Sequence, residues 1–363
     1  MWSDRRLLEL FGIEHPIVLA PMAGFATVEL AAIVSNAGGL GSIGCATMDL
    51  QRVTNAIAQA RRLTSKPVSL NFFCHEPARA DAAREWAWHD RLSPYYRELG
   101  IDETTPRPRT DLAPFGGAMC ELVEDARPDV VSFHFGLPAS PLVARIKSAG
   151  CKVISSATTV AEARWLEDHG ADAVIAQGYE AGGHRGTFLG RDQNRAVASQ
   201  LGTFELVPQI TDAVSVPVIA AGGIADGRGI AAALSLGASG AEIGTAFLLC
   251  PEAATPPLHR DALRQARELG TVVTNVLSGR PARALVNRLI AEVGPLSDAV
   301  PDFPLPMGEL APLRAAAERK GSRDFTPIWA GQGAALAREL PAKALMQTLV
   351  KEAVERLKRV KDG

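Results

Sequence analysis

The sequence has no run of about eighteen apolar residues, which excludes a conventional transmembrane helix. It has no basic block either: 38 Lys and Arg stand against 40 Asp and Glu, for a formal net charge of -2. That balance argues against nucleic acid or an anionic membrane surface as the main partner. The five cysteines, Cys45, Cys74, Cys120, Cys151 and Cys250, are scattered and form no C-x-x-C pair. Buried reduced thiols are expected rather than a zinc site or a disulfide framework. No other ligand set is clustered, so no metal is expected. The N-terminal MWSDRRLLELFGIEHP is charged and then amphipathic, without a signal-peptide core, and the cytoplasm is the expected compartment. The first apolar run continues as APMAGFAT, so the G-x-G-x-x-G turn of an open dinucleotide-binding sheet is missing.

What is present is a repeated strand–helix alternation. The chain has 363 residues, 47% of them hydrophobic, enough for one large α/β barrel or two ordinary domains. Eight short, apolar, β-branched runs read as strands: PIVLAPM (16–22), GLGSIG (39–44), PVSLNFF (67–73), DVVSFHF (129–135), KVISSAT (152–158), DAVIAQG (172–178), PVIAAGG (217–223) and GAEIGTAFL (240–248). Helical patterns such as DLQRVTNAIAQARRLTS, VAEARWLEDHG and GRGIAAALSLGAS separate them. Near-continuous apolar strands with crossover helices imply a parallel sheet buried on both faces. Eight units predict a closed (β/α)8 TIM barrel, with an open doubly wound sheet as the alternative.

Two stretches break the rhythm. His75 to Pro114 is long and polar and is expected to leave the barrel after the third strand. Pro251 to Pro327 carries LHRDALRQARELG and RALVNRLIAEVG, both read as helices, and then the Pro-rich PDFPLPMGELAP. The expected organisation is a barrel over 1–250, a smaller inserted helical domain or lid over 251–330, and C-terminal helices over 331–363 returning to the barrel.

In such a barrel the site lies at the C-terminal ends of the strands. There the sequence places Ala20-Pro21-Met22, Asn71, His134, Gln177, Gly222-Gly223 and Gly244-Thr245. Glycines after the seventh and eighth strands let backbone N–H groups approach an anion, and this is the usual phosphate site of the fold. Asn71 and Gln177 either cap neighbouring loops or hydrogen-bond the edge of a planar heteroaromatic ring, with APMAG backbone beside it. A phosphate at one end and amides at the other suit flavin mononucleotide (FMN). In AQGYEAGGHRG, after the sixth strand, the glycines read as room for a ring system, and His184 as an imidazole leaning over it. His134, in SFHFG, either shares the chemistry or shapes the pocket.

Together APMAG, VSNAGGLGSIG, NFF, SFHFG, QGYEAGGHRGTF, PVIAAGGIADGRGIAAALSLGASGAEIGTAFL, SGRPARALVNRL and WAGQG resemble the nitronate monooxygenases (2-nitropropane dioxygenases), most closely their class I branch. The resemblance implies an FMN-containing TIM barrel with a smaller domain over the flavin. It implies that Asn71, Gln177, Gly182, Gly223 and Glu242, Ile243, Gly244 and Thr245 bind FMN, with Ala20, Pro21 and Met22 near the isoalloxazine. His184 takes the family's catalytic histidine position. The implied activity is oxidation of alkyl nitronates, propionate 3-nitronate included, by molecular oxygen, in a monomer or homodimer. The pieces EAGGH and AAGGI are shared with FMN-dependent enoyl-acyl-carrier and quinone reductases, so an NAD(P)H-dependent reductase is the alternative. Class I members line the substrate pocket with several tyrosines of the second domain. This chain has only Tyr95, Tyr96 and Tyr179, none in the inserted region.

Overall fold

In the computed structural model, residues 2–362 are described except 103, 105, 109, 111, 191 and 192. All eight strand runs form strands. They are β1 (Ile17–Leu19), β2 (Gly41–Gly44), β3 (Val68–Phe73), β4 (Val130–His134), β5 (Lys152–Ala157) and β6 (Ala173–Gln177). A two-residue strand that the alternation does not announce follows, β7 (Gly183–His184), and then β8 (Val218–Ala221) and β9 (Gly240–Ile243). The large sheet is parallel throughout, in the order β1-β9-β8-β6-β5-β4-β3-β2. Its two edges meet where Val18 bridges Leu40, with Leu19 N donating to the Leu40 carbonyl and Leu40 N to that of Ile17, both at 2.9 Å. The result is the TIM-type barrel expected from the eight-fold alternation. The last strand is shorter than its apolar run: after Ile243, residues Thr245–Phe247 turn into a short 3-10 helix.

The helices start where their caps are. Thr27, Asp49 and Thr159 each accept a hydrogen bond from a backbone N–H of the first turn, satisfying a donor the helix itself leaves unpaired. The C-terminal helix, Ala342–Asp362, packs against the helices Gly227–Ser235 and Val28–Asn36. Its buried Leu345, Met346 and Leu349 join the barrel's hydrophobic cluster.

The layer above the strand ends is more mixed than the sequence suggests. RALVNRLIAEVG is not one helix. Ala282–Leu285 is strand β11, antiparallel to β10 (Thr271–Thr274), and the helix begins only at Arg288 behind an Asn287 cap. All four residues of β11 are buried, Arg283 included, and pairing with strands on both sides overrode the run's helix-like spacing. Strand β11 also pairs with β7, Ala282 opposite His184 and Arg283 opposite Gly183. The loop carrying His184 is thereby sewn into the upper layer.

The polar excursion after β3 belongs to the same layer. It contains the helix Ala82–Leu99, whose Trp88, Leu92, Tyr95 and Tyr96 are buried against Leu289, Ile290, Leu310, Leu313 and Phe325. Positions 88, 92 and 95–96 share one helical face, and each such burial contributes about 1.5–3 kcal/mol. Two chain segments far apart in sequence thus build one core above the barrel.

Candidate active site

The strand ends and the upper layer enclose a cavity of about 300 Å3. Ala20, Pro21, Met22, Asn71, His134, Gln177, Gly182, His184, Gly222, Gly223, Glu242, Gly244 and Thr245 all line it. Ile243 does not. Strand alternation turns its side chain into the barrel's hydrophobic cluster, fully buried, while its carbonyl accepts from Ala20 N at 2.9 Å.

His184 is held from two sides. Its backbone carbonyl accepts hydrogen bonds from Gln177 Nε2 at 2.9 Å and His134 Nε2 at 3.1 Å. Its ring Nε2 lies 2.9 Å from Ser278 Oγ. Ser278 is fully buried, and its hydroxyl donates to the Arg280 carbonyl at 3.3 Å. Either group can be the donor in this pair; with the hydroxyl proton on the Arg280 carbonyl, His184 carries its proton on Nε2 and donates it to Ser278. That leaves Nδ1 bare, with no hydrogen bond among the described residues. Burial, reinforced by His134, Arg280 and His75, pushes the His184 pKa down to about 3. The ring is therefore a neutral imidazole with one free lone pair.

Around it stand Phe303 at 5.2 Å, Trp329 at 5.3 Å, Phe135 at 6.0 Å and Phe73 at 6.3 Å between ring centroids. His184 itself is half-buried, with these aromatics forming the wall around it. Sequence reading had the signal for Phe73 and Trp329 in NFF and WAGQG, and for Ser278 in SGRPAR. It had none for Phe303 and Met307, which reach the cavity from the upper layer.

His134 has no nitrogen to spare. Its Nε2–H is spent on the His184 carbonyl, and its Nδ1 lies 2.5 Å from Ser156 Oγ, whose hydroxyl it accepts. Burial, outweighing that carbonyl contact, also pushes its pKa down to about 3. Gln177 is likewise engaged: its Oε1 accepts from Gly186 N at 2.8 Å. Of the two readings left open for Gln177, loop capping is what the hydrogen bonds record. Asn71 differs: Nδ2 donates to Ser132 Oγ at 2.9 Å, and Oδ1 makes no hydrogen bond among the described residues.

The two glycines before His184 differ: a Cβ on Gly183, at φ +74°, would meet nothing within 4 Å, whereas Gly182 is closely packed. A Cβ on Gly182 would lie 2.5 Å from Gly331 N and 2.6 Å from the Ala330 carbonyl carbon, so the space belongs to the WAGQG backbone. The close approach lets Thr245 Oγ1 accept from Gly331 N at 3.0 Å.

Elsewhere in the cavity wall, backbone donors at the strand ends are unpaired. The backbone N–H groups of Gly223, Gly244 and Thr245 have no hydrogen-bond acceptor among the described residues. Gly223 sits at φ +69°, the left-handed region that suits glycine and turns successive amides toward one side. Among the described lining residues there is no Lys or Arg.

The tyrosines are elsewhere. Tyr95 and Tyr96 donate to Glu292 Oε2 at 2.8 Å and to the Glu309 carbonyl at 2.6 Å within the upper core. Tyr179 lies under the Arg283 guanidinium, 4.6 Å from its ring centre. The upper wall of the cavity is Phe303, Met307 and Trp329 instead. The described residues hold no group of three or more His, Cys, Asp or Glu able to bind a metal ion, and no helix long and apolar enough to cross a membrane.

The family model for nitronate monooxygenase matches residues 4–352. The chain is 46% identical over 349 residues to a nitronate monooxygenase of Pseudomonas aeruginosa, covering 96% of this chain and 98% of that one. It is 43% identical over 364 residues to one of Paraburkholderia phytofirmans, with 98% of each chain covered. Among solved structures it is similar to nitroalkane oxidase from Streptomyces ansochromogenes, with a TM-score of 0.88, 38% identity, and 98% and 99% of the two chains covered. FabK from Thermotoga maritima is also similar, at a TM-score of 0.73 and 30% identity over 100% and 99% of the two chains. Because these matches run through the barrel and the layer that closes over it, the chain belongs to the nitronate monooxygenase family.

Proposed function

We propose that this protein is an FMN-dependent monooxygenase that oxidises alkyl nitronates, and neutral nitroalkanes through them, with molecular oxygen to a carbonyl compound and nitrite. The carrying observation is His184: a neutral imidazole with a bare Nδ1, set among aromatic rings in a cavity whose wall also offers unspent backbone amides. The family is flavin-dependent. The residues present fit FMN: Gly223, Gly244 and Thr245 would hold the phosphate through N–H groups, and Asn71 Oδ1 offers an acceptor to the ring edge. Bound there, the flavin supplies the electron transfer that no side chain can perform.

The remaining roles belong to the chain. His184 Nδ1 takes the α-proton of a neutral nitroalkane. The imidazolium so formed lies beside the nitronate anion, which offsets the burial that otherwise keeps the ring neutral. Ser278 fixes the tautomer. Gln177 and His134 hold the His184 backbone, so His134 is a positioning residue. The aromatic ring of Phe73, Phe135, Phe303 and Trp329 keeps bulk water from the carbon being oxidised.

The test is direct. Anaerobic addition of a pre-formed alkyl nitronate should bleach the yellow protein, and nitrite should accumulate in air. NADH in place of the nitronate should leave the colour. Rapid bleaching by NADH without nitrite formation would turn the assignment to the reductase class that the FabK likeness represents.

A further inference from the structure

Glu242 is the one acidic side chain among the described residues lining the cavity. It rises from the middle of β9, with Val18 of β1 and Ala221 of β8 as its register partners. Its carboxyl makes no hydrogen bond and no ion pair among the described residues. Glu242 is half-buried at the cavity wall, and an ionised carboxylate there would lack a counter-charge and would lose its remaining water once a ligand fills the cavity. It would also share the cavity with a ligand phosphate that carries nearly two negative charges of its own.

The charges around β9 are committed elsewhere. Behind the strand, Arg228 is paired with Asp226 at 2.6 Å. Near its start, Arg6 is paired with Asp4 at 2.9 Å. On the C-terminal helix, Glu352 is paired with Arg338 at 2.7 Å. Across the cavity, His134 and His184 are neutral.

On the reading that the cavity holds FMN, we propose that Glu242 is carried as its neutral acid and donates its O–H to the bound cofactor, so that the protein holds FMN through a proton it must keep. The donor is one that an amide or an alcohol would supply at any pH; a carboxylic acid supplies it only while protonated. Burial pushes the Glu242 pKa up to about 8, so the donor is present at neutral pH and is lost just above it. Cofactor binding and proton uptake are then linked.

The experiment titrates FMN into the FMN-stripped full-length protein, followed by quenching of flavin fluorescence, between pH 7 and 9.5. This window lies above the second ionisation of the phosphate, at about 6. For the wild type, the FMN Kd should be level to about pH 8 and rise about tenfold per pH unit beyond it. Glu242→Gln keeps a donor of the same length without a titrating proton, and its Kd should not change over the window. At pH 9 in weak buffer the wild type should take up close to one proton per FMN bound. A wild-type Kd independent of pH, or a rise that Glu242→Gln shares, overturns the proposal while leaving the FMN reading intact. Should Glu242→Gln not fold, the proton count on the wild type decides alone: no uptake at pH 9 overturns it. Failure to bind FMN at any pH removes the FMN reading, and this proposal with it.

Discussion

His134 donates its Nε2–H to the backbone carbonyl of His184 at 3.1 Å, and its other nitrogen is closed off by Ser156. An imidazole used in this way braces the loop and has no nitrogen left to offer a substrate. His134→Ala leaves a buried carbonyl with one partner fewer and a void beside Gly186, which should cost about 1–3 kcal/mol of stability. Turnover should fall by the same factor, roughly tenfold, for a nitroalkane and for its pre-formed nitronate. Parallel steady-state assays check this; a loss confined to the nitroalkane would make His134 a proton acceptor instead.

The amide cradle predicts how the cofactor is lost. At Gly223 the backbone is left-handed, and a Cβ would come within 3.3 Å of Glu180 Cβ. Asn and Asp tolerate that conformation about equally, so the pair separates strain from charge. Gly223→Asn should keep much of its FMN after gel filtration. Gly223→Asp, with a carboxylate facing the phosphate, should keep little. Equal retention by the two variants would put the phosphate somewhere else.

Much of this site was legible because a parallel barrel turns sequence order into geometry. Once eight apolar runs are recognised, the residues ending them must ring one mouth, and all of the expected site residues except Ile243 do line the cavity. Ile243 fails for a reason of period two: its neighbours Glu242 and Gly244 face the cavity, so it cannot. What stayed hidden is what arrives from the upper layer. Phe303 and Met307 lie more than a hundred residues from His184, in a segment whose strands and helices do not alternate regularly. No spacing rule connects them to the barrel. Trp88, Leu92 and Tyr96 did share a helical face, but the polar and Pro-rich surroundings masked it. Of the glycines of AQGYEAGGHRG, Gly183 does face open cavity space, while Gly182 is packed against the WAGQG backbone, a neighbour that sequence shows no sign of.

Buried neutral histidines predict the acid limb of stability. Burial pushes His259 down to about 4, although its Nε2 donates to the Trp329 carbonyl at 3.2 Å. Burial lowers His75, His134 and His184 as well. Below about pH 6.5 the unfolded chain binds protons that the folded one refuses. Stability should therefore fall as pH drops from 6.5 toward 4. His259 does not itself line the cavity, but its ring packs on Phe25 and its Nε2–H holds the Trp329 carbonyl, so His259→Gln is compared with the wild type with both in the FMN-stripped form. It should flatten the slope of the urea midpoint against pH in that range. An unchanged slope would mean that His259 titrates normally in the folded protein.

The role of His184 is decided by comparing two substrates. The ring is neutral, its Nε2 is paired with Ser278, and Nδ1 makes no hydrogen bond among the described residues. His184→Asn should keep FMN, since the phosphate amides and Asn71 lie on other elements. It should lose roughly 10²–10⁴-fold in kcat/KM for a neutral nitroalkane, the range for removal of a general base. With the pre-formed nitronate there is no proton to remove, and the loss should be markedly smaller. Ser278→Ala should move the same ratio in the same direction by less, because it frees the ring to change tautomer without removing it. Ser278→Thr, which restores the hydroxyl, should recover most of the difference. The low imidazole pKa adds a further mark: the wild-type kcat/KM for the nitronate should show no histidine ionisation between pH 5 and 8. Equal losses of His184→Asn on nitroalkane and nitronate would leave His184 as a residue that holds the substrate oxygens and takes no proton.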